Sequence, residues 1–90
     1  MKRVANKIAV QSLLYTVSGN QLLRIIDYPT QATKYSGGDG VIAFDDHACA
    51  INSYKYEHLT RAELLGTSIE VNMAGNPVLI LEVSTRFEEY

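Results

Sequence analysis

The sequence has no tryptophan and a single cysteine, Cys49. One cysteine excludes an internal disulfide framework, so a reducing compartment is the simpler assumption. The basic N-terminal residues are not followed by the unbroken apolar stretch and small-residue cleavage site of a signal peptide. No apolar run approaches the roughly 20 residues that cross a bilayer. We therefore expect a cytoplasmic protein that does not enter a membrane.

An excess of positive charge is also missing. Eight lysines and arginines stand against ten aspartates and glutamates, which leaves a net charge of −2. Proteins that bind nucleic acid usually carry a basic patch, whereas the basic residues here are scattered apart from a short group at the N-terminus. The sequence therefore predicts no nucleic-acid partner.

No motif of a known cofactor site is present either. The glycines at positions 37, 38 and 40 lack the Gly-Lys-Ser/Thr ending of a phosphate-binding loop and the strand-glycine-helix order of a dinucleotide site. Turn-forming residues dominate this region. We expect residues 29–40 to form a long polar loop, and we predict no cofactor.

What is present is the composition of a globular domain. Of the 90 residues, 47% are hydrophobic and 20% are charged, which is typical of a folded soluble chain. A chain of this length builds one core, so residues 1–90 are predicted to form a single domain. So small a domain is marginally stable, and a partner subunit is a common source of further stability.

Two Gly-Asn pairs predict β-hairpins. Gly19-Asn20 and Gly75-Asn76 each lie between apolar runs, and this dipeptide readily adopts the positive φ angles of tight hairpin turns. β-branched and aromatic residues favour a strand over residues 8–17, whereas the uninterrupted length of residues 4–17 favours a helix. We expect the strand and keep the helix as the alternative.

The middle of the chain predicts two extended runs and a helix. Residues 41–44 and 47–52 have the composition of strands. Thr60 and Glu63 have the spacing of a capping box, which predicts a short helix that ends at Gly66. A start of this helix already at Tyr54 is the alternative.

The second hairpin has the clearest pattern. Apolar and polar residues alternate over residues 67–73, and an apolar return strand follows over residues 78–87. Pro77 cannot donate a hydrogen bond to a neighbouring strand, which indicates an edge position.

These elements together predict an α+β fold in which an antiparallel sheet of about five strands carries one short helix. A small bent β-barrel is one alternative. An N-terminal helix packed on the sheet is another.

The residues with catalytic or metal-binding chemistry are few. In an extended segment Asp45, His47 and Cys49 share one face, and His58 offers a fourth ligand or a base. The set lacks the paired spacing of zinc sites, and no catalytic signature surrounds Cys49. We therefore expect no metal site, no catalytic residue and a packed Cys49.

Six tyrosines are the remaining signal. Tyrosine is apolar in its ring and polar at its tip, which suits recognition surfaces. Tyr54 and Tyr56 share a face if extended, and Tyr35 lies in the neighbouring loop. We predict a binding surface that contains Tyr35, Tyr54, Tyr56, His47 and His58.

The leading functional hypothesis is a non-catalytic interaction module, a small homodimer that engages a protein partner through this tyrosine surface. We expect the dimer to form through a sheet edge or through the apolar face that carries Val78 and Ile80, since one short helix does not cover both faces of a sheet. A small-ligand pocket between sheet and helix, gated by residues 29–40, is the second hypothesis. An enzyme that uses Cys49 with His47 or His58 is the third.

Overall fold

The structure, a computed structural model, describes residues 9–29 and 37–85. The elements in chain order are α1 (Val10–Leu14), β1 (Leu22–Tyr28), β2 (Val41–His47), two 3₁₀ helices (Ala48–Asn52 and Tyr54–Tyr56), α2 (Glu57–Thr60), β3 (Glu63–Val71) and β4 (Pro77–Ser84). Short helices therefore precede the sheet and connect β2 to β3. The predicted α+β class is confirmed.

The strands of the described ranges form one four-stranded sheet in the order β2-β1-β4-β3. β1 pairs antiparallel with β2, and β3 pairs antiparallel with β4. The two central strands run parallel, with Leu23 opposite Leu79 and Ile25 opposite Leu81. The prediction of about five antiparallel strands is therefore wrong. The helical connection carries the chain from one edge of the sheet to the other, so β4 returns beside β1 in the same direction.

The helices cover one face of the sheet and enclose the core. The buried core residues are Val10, Leu23, Ile25, Phe44, Ala48, Ile51, Leu59, Ala62, Leu81 and Val83. Removing such side chains from water contributes about 25 cal/mol for each Å² of apolar surface. The core residues come chiefly from α1, from strands β1, β2 and β4, and from the helices between β2 and β3, which we call the crossover helices. The core therefore joins the helical layer to the sheet.

The opposite face of β4 is also buried. Val78 and Ile80 are only 4% and 3% exposed in the single chain. The expectation that a second copy is needed to cover these two side chains is therefore wrong. A charge introduced at Ile80 would be buried inside the protein, where it destabilises the fold itself.

Residues 10–14 form α1 rather than part of the predicted strand, as in the alternative of an N-terminal helix packed on the sheet. Val10 is fully buried, and its N–H donates to the carbonyl oxygen of Ala62 at 3.0 Å. This tertiary contact overrides the strand preference of the β-branched residues. Residues 4–8 of the predicted segment lie outside the described ranges.

The first Gly-Asn pair is not a hairpin tip. Gly19 and Asn20 connect α1 to β1, and neither has a positive φ angle. The carbonyl oxygen of Gly19 accepts the Cys49 N–H at 3.1 Å. The pair therefore lies in the connection from α1 to β1 and is hydrogen-bonded to the first 3₁₀ helix, instead of forming the tight turn of a hairpin.

The second Gly-Asn pair does end a hairpin, as predicted. The N–H of Gly75 donates to Asn72 O at 2.9 Å, the N–H of Asn72 donates to Asn76 O at 2.9 Å, and Gly75 has a φ of 85°. This is the three-residue hairpin loop with a glycine in the left-handed region.

The predicted capping box is wrong. Thr60 ends α2, where its hydroxyl donates to the Glu57 carbonyl oxygen at 2.9 Å, and Glu63 begins β3. Pairing with β4 draws the residues after Glu63 into a strand, with Gly66 beside a register shift. No helix in the described ranges is long and apolar enough to cross a bilayer.

The extended run predicted over residues 47–52 is a 3₁₀ helix from Ala48 onward. Pro77 is the first residue of β4, a central strand, so its predicted edge position is also wrong. The pairing with β1 begins one residue later, at Val78 opposite Leu22. The missing N–H of Pro77 therefore costs no bond to β1, and the Gln21 side-chain amide donates to the Pro77 carbonyl at 2.9 Å.

Candidate functional site

A cleft of about 360 Å³ lies between α1 and the crossover helices. Its described lining consists of Gln11, Leu14, Tyr15, Ile51, Asn52, Ser53, Tyr54, Glu57 and Thr60. We call it the tyrosine cleft. Its residues come from α1, both 3₁₀ helices and α2, so the packing of the helical layer creates it.

The tyrosine cleft combines buried apolar residues with two exposed aromatic rings. Ile51 is 1% exposed and Leu14 is half-buried, so both belong to the core side of the cleft. Tyr15 is 79% exposed and Tyr54 is 90% exposed. Large aromatic rings left in water beside a concave surface are typical of recognition sites.

Hydrogen bonding on α1 relates two of the lining side chains. The side-chain amide of Gln11 donates to Tyr15 Oη at 3.1 Å, across one helical turn. Residues four apart on a helix lie on the same face, so α1 presents both side chains to the cleft. The bond limits the positions available to the otherwise exposed Tyr15 ring.

The charge of the tyrosine cleft is largely neutralised. Of its described lining residues only Glu57 is charged, and Arg61 Nη2 lies 2.6 Å from Glu57 Oε1, one helical turn away. Both side chains are well exposed, so water screens the pair and its contribution to stability is small. The cleft therefore favours a ligand with polar and apolar groups over a strongly charged one.

The structure places the predicted binding residues in different locations. Tyr54 lines the tyrosine cleft, but Tyr56 is half-buried, with its ring edge-to-face against Phe44 in the core. His58 lines a second cleft beside Arg61, and His47 ends β2. Tyr35 lies outside the described residues. The four predicted residues that the structure describes therefore do not form one surface.

Tyr15 was missed as a site residue because residues 8–17 were predicted as a strand. On a helix, Gln11 and Tyr15 lie on one face four residues apart, and that spacing was the available signal. The alternative prediction of a helix over residues 4–17 contains it.

The structure does not bring the predicted catalytic candidates together. Cys49 is exposed in the first 3₁₀ helix, so the expectation of a packed cysteine is wrong. The clefts that contain His47 and His58 do not include it. Within residues 9–29 and 37–85, no group of three or more His, Cys, Asp or Glu side chains is arranged to hold a metal ion.

The predicted ligand pocket has a different location from the tyrosine cleft. That pocket was expected between sheet and helix with residues 29–40 as its gate. The tyrosine cleft lies among helices, and the loop residues that the structure describes, 29 and 37–40, do not line it. Residues 30–36 are outside the described ranges, so the gating prediction stays a prediction.

A second exposed surface lies on edge strand β3. Ile69 and Val71 are 68% and 70% exposed, and Met73 beyond the end of the strand is fully exposed. Alternate residues of a strand share a face, so Ile69 and Val71 lie on the side of the sheet where the helices pack. The helical layer does not reach far enough along the hairpin to cover them.

Comparison with known proteins finds no matching family model, no matching curated protein and no matching solved structure. The tyrosine cleft and the β3 edge are therefore the structural basis for a functional proposal.

Proposed function

We propose that this protein is a non-catalytic interaction module that holds a peptide segment of a protein partner in the tyrosine cleft. The observation that carries the proposal is the exposure of Tyr15 and Tyr54, two aromatic side chains that line the same cleft. Tyrosine and tryptophan dominate the energetics of protein interfaces because they bury a large ring at a low entropic cost.

The cleft suits one large side chain with its flanking backbone. Leu14 and Ile51 offer apolar contact to an aliphatic or aromatic anchor. Asn52, Ser53 and Thr60 offer polar groups to the peptide backbone around that anchor. The partner segment is therefore expected to contain an apolar anchor between polar residues, without a cluster of like charges.

We also propose that the protein works in the cytoplasm. Cys49 is an exposed free thiol, and a reducing compartment is where such a thiol persists.

Selection of a random peptide library against the immobilised full-length chain tests the proposal. Enriched peptides should share an apolar anchor, and their affinities can be measured by fluorescence anisotropy. Tyr15→Ala and Tyr54→Ala should each weaken binding about tenfold or more, as expected for interface hot spots.

Met73→Ala is the control, because Met73 is an exposed large side chain that does not line the cleft. It should leave peptide affinity unchanged. Failure to enrich any peptide, or equal binding to the Tyr15→Ala/Tyr54→Ala double variant, would refute the proposal.

A further inference from the structure

The outer edge of β3 presents backbone hydrogen-bonding groups in a defined pattern. Asn72 and Asn76 form a hydrogen-bonded pair at the end of the hairpin. Hydrogen-bonded and non-hydrogen-bonded pairs alternate along an antiparallel ladder. Residues 67, 69 and 71 therefore occupy non-hydrogen-bonded positions opposite β4, and their N–H and C=O groups point away from it, toward the open edge.

In the described part of the chain, nothing covers the outer edge of β3 along residues 67–71, which we call the exposed half. Apart from β4, the described residue that pairs with β3 is Ala9. It forms a single antiparallel bridge with Glu63, at the opposite end of the strand. Residues 67–71 are all exposed, whereas residues 63–66 are half-buried. The register shift near Gly66 separates the two halves.

The exposed half carries few of the features that protect sheet edges. Proteins usually block such edges with proline, lysine, bulges or short strands. Residues 67–71 contain no proline or lysine, and Glu70 is their one charged residue. An edge with an apolar row and free backbone groups is a template for another strand.

We propose that a second copy of this chain pairs with β3, antiparallel across a two-fold axis at Ile69, to form one continuous sheet through both copies. In this register residues 67, 69 and 71 face residues 71, 69 and 67 of the second copy, so the outward N–H and C=O groups meet in hydrogen-bonded pairs. This surface is separate from the tyrosine cleft, and the dimer does not depend on the peptide-binding function.

Side-chain complementarity supports this register. On the helix side of the sheet, Ile69 meets the second copy's Ile69 and Val71 meets its Thr67, and pairs of β-branched residues stabilise strand pairing. On the other side, Glu70 lies opposite the second copy's Ser68, so the carboxylates are not directly opposed.

The neighbouring two-fold registers are less favourable. An axis at Glu70 places two carboxylates directly opposite each other, which is destabilising. An axis at Ser68 brings the register shift near Gly66 into the pairing, where the regular ladder ends.

A second copy also fits better on β3 than on the other edge. β2 carries Asp45 and Asp46 just before its last residue, His47, and charged side chains of this kind protect a sheet edge from pairing. A contact between two different edges is head-to-tail, so it leads to rings or open filaments and not to a closed pair. Pairing of β3 with β3 closes after two copies.

We expect a weak dimer. Pairing along residues 67–71 buries less surface than the roughly 1,200 Å² at the lower limit of standard interfaces, so the dissociation constant should be micromolar or weaker. Sedimentation velocity from micromolar to millimolar chain concentrations should show a monomer that converts to a dimer. A monomer throughout that range would overturn the proposal.

Amide hydrogen exchange at the same concentrations tests the edge itself. The amides of Ser68 and Glu70 face β4 and should be protected at all concentrations. Those of Thr67, Ile69 and Val71 should gain protection only as the dimer forms. Protection of these three in the monomer would mean that the same chain already occupies the edge, and would contradict the proposal.

Charge variants test the axis. Ile69→Lys and Ile69→Glu place like charges opposite each other, so each should raise the dissociation constant at least about tenfold, while an equimolar mixture should restore a heterodimer. Ile69 is exposed, so both variants should fold, which an amide NMR spectrum verifies. Unchanged dimerisation in either variant would overturn the proposal.

Ser68→Lys is the matched variant at the next position. It would place a lysine opposite Glu70 of the second copy, and should tighten the dimer about two- to tenfold. An axis at Ser68 would instead bring the two lysines together and weaken the dimer. A weaker Ser68→Lys dimer would therefore refute the Ile69 axis.

Discussion

The phenyl ring of Phe44 meets the phenol ring of Tyr56 edge to face, with 4.9 Å between the ring centroids and 88° between the ring planes. Phe44 belongs to β2, and Tyr56 belongs to the second 3₁₀ helix. The pair therefore fixes the crossover helices to the sheet, and it explains why Tyr56 is half-buried against the core while Tyr54 is exposed.

Phe44→Ala should lower the free energy of unfolding by about 3–5 kcal/mol, because it removes a buried ring and leaves a cavity. Urea denaturation measures the change. A double-mutant cycle with Phe44→Leu and Tyr56→Leu should give a coupling of about 0.5–1.5 kcal/mol. Tyr54→Ala is the exposed control and should change stability by less than about 0.5 kcal/mol.

Gly40 lies where a side chain does not fit. An added Cβ would overlap Ile26 Cγ2 and would lie 3.0 Å from Tyr28 Cζ on the neighbouring strand. Gly40→Ala should therefore destabilise the protein by about 1–3 kcal/mol, measured by thermal unfolding. Val41→Ala changes the exposed next residue and should be close to neutral. Equal stability of the two variants would contradict the close approach of Gly40 to β1.

The free energy of unfolding should fall at high pH because Tyr28 loses its proton. Its hydroxyl donates to Glu82 Oε2 at 3.1 Å, and burial, followed by the bond to Glu82 and its charge, raises the pKa of Tyr28. Folding favours the protonated phenol, so this stabilisation is complete below the ordinary tyrosine pKa near 10 and is lost as the pH rises through the higher folded pKa.

Phenolate absorbance titration measures this pKa. Tyr28→Phe should remove a transition above the ordinary value, and Glu82→Gln should lower the pKa of Tyr28 by removing the neighbouring charge. If Tyr28→Phe instead removes a transition at or below the ordinary tyrosine pKa, burial and Glu82 do not control the pKa of Tyr28.

The pKa of Asp46 should stay below its ordinary value when the His47 imidazole is removed. The His47 N–H donates to Asp46 Oδ1 at 2.7 Å, and His47 Nδ1 lies 3.2 Å from the same oxygen. The backbone bond first, and then the imidazole, hold the pKa of Asp46 below its ordinary value. His47→Gln keeps the backbone donor, so an NMR titration should still find a lowered pKa for Asp46.

The sign of the pH effect follows from that direction. The folded state favours ionised Asp46, so the stabilisation is present above the ordinary aspartate pKa and is lost as the pH falls through the lower folded value. A complete return of the Asp46 pKa to its ordinary value in His47→Gln would show that the imidazole, not the backbone, lowers it.

The candidate site was only partly predictable. Tyr54 was predicted from the chemistry of tyrosine itself, which combines an apolar ring with a polar tip. Tyr15 was missed because its side of the cleft exists only once residues 10–14 are helical, and the burial of Val10 against the sheet decides that. The packing of Tyr56 could not be predicted, because its ring contacts Phe44, a residue that is not close to it in the sequence.

The sequence by itself determined the C-terminal hairpin. The alternating residues of β3 and the glycine at position 75 are local features, and a tight turn joins strands that are already adjacent in the chain. Only the tertiary structure decided the parallel pairing of β1 with β4, which places Pro77 on a central strand and residues 67–71 on an open edge. Parallel neighbours meet through a long crossover, so their pairing depends on how the intervening helices pack, and no short stretch of sequence specifies it.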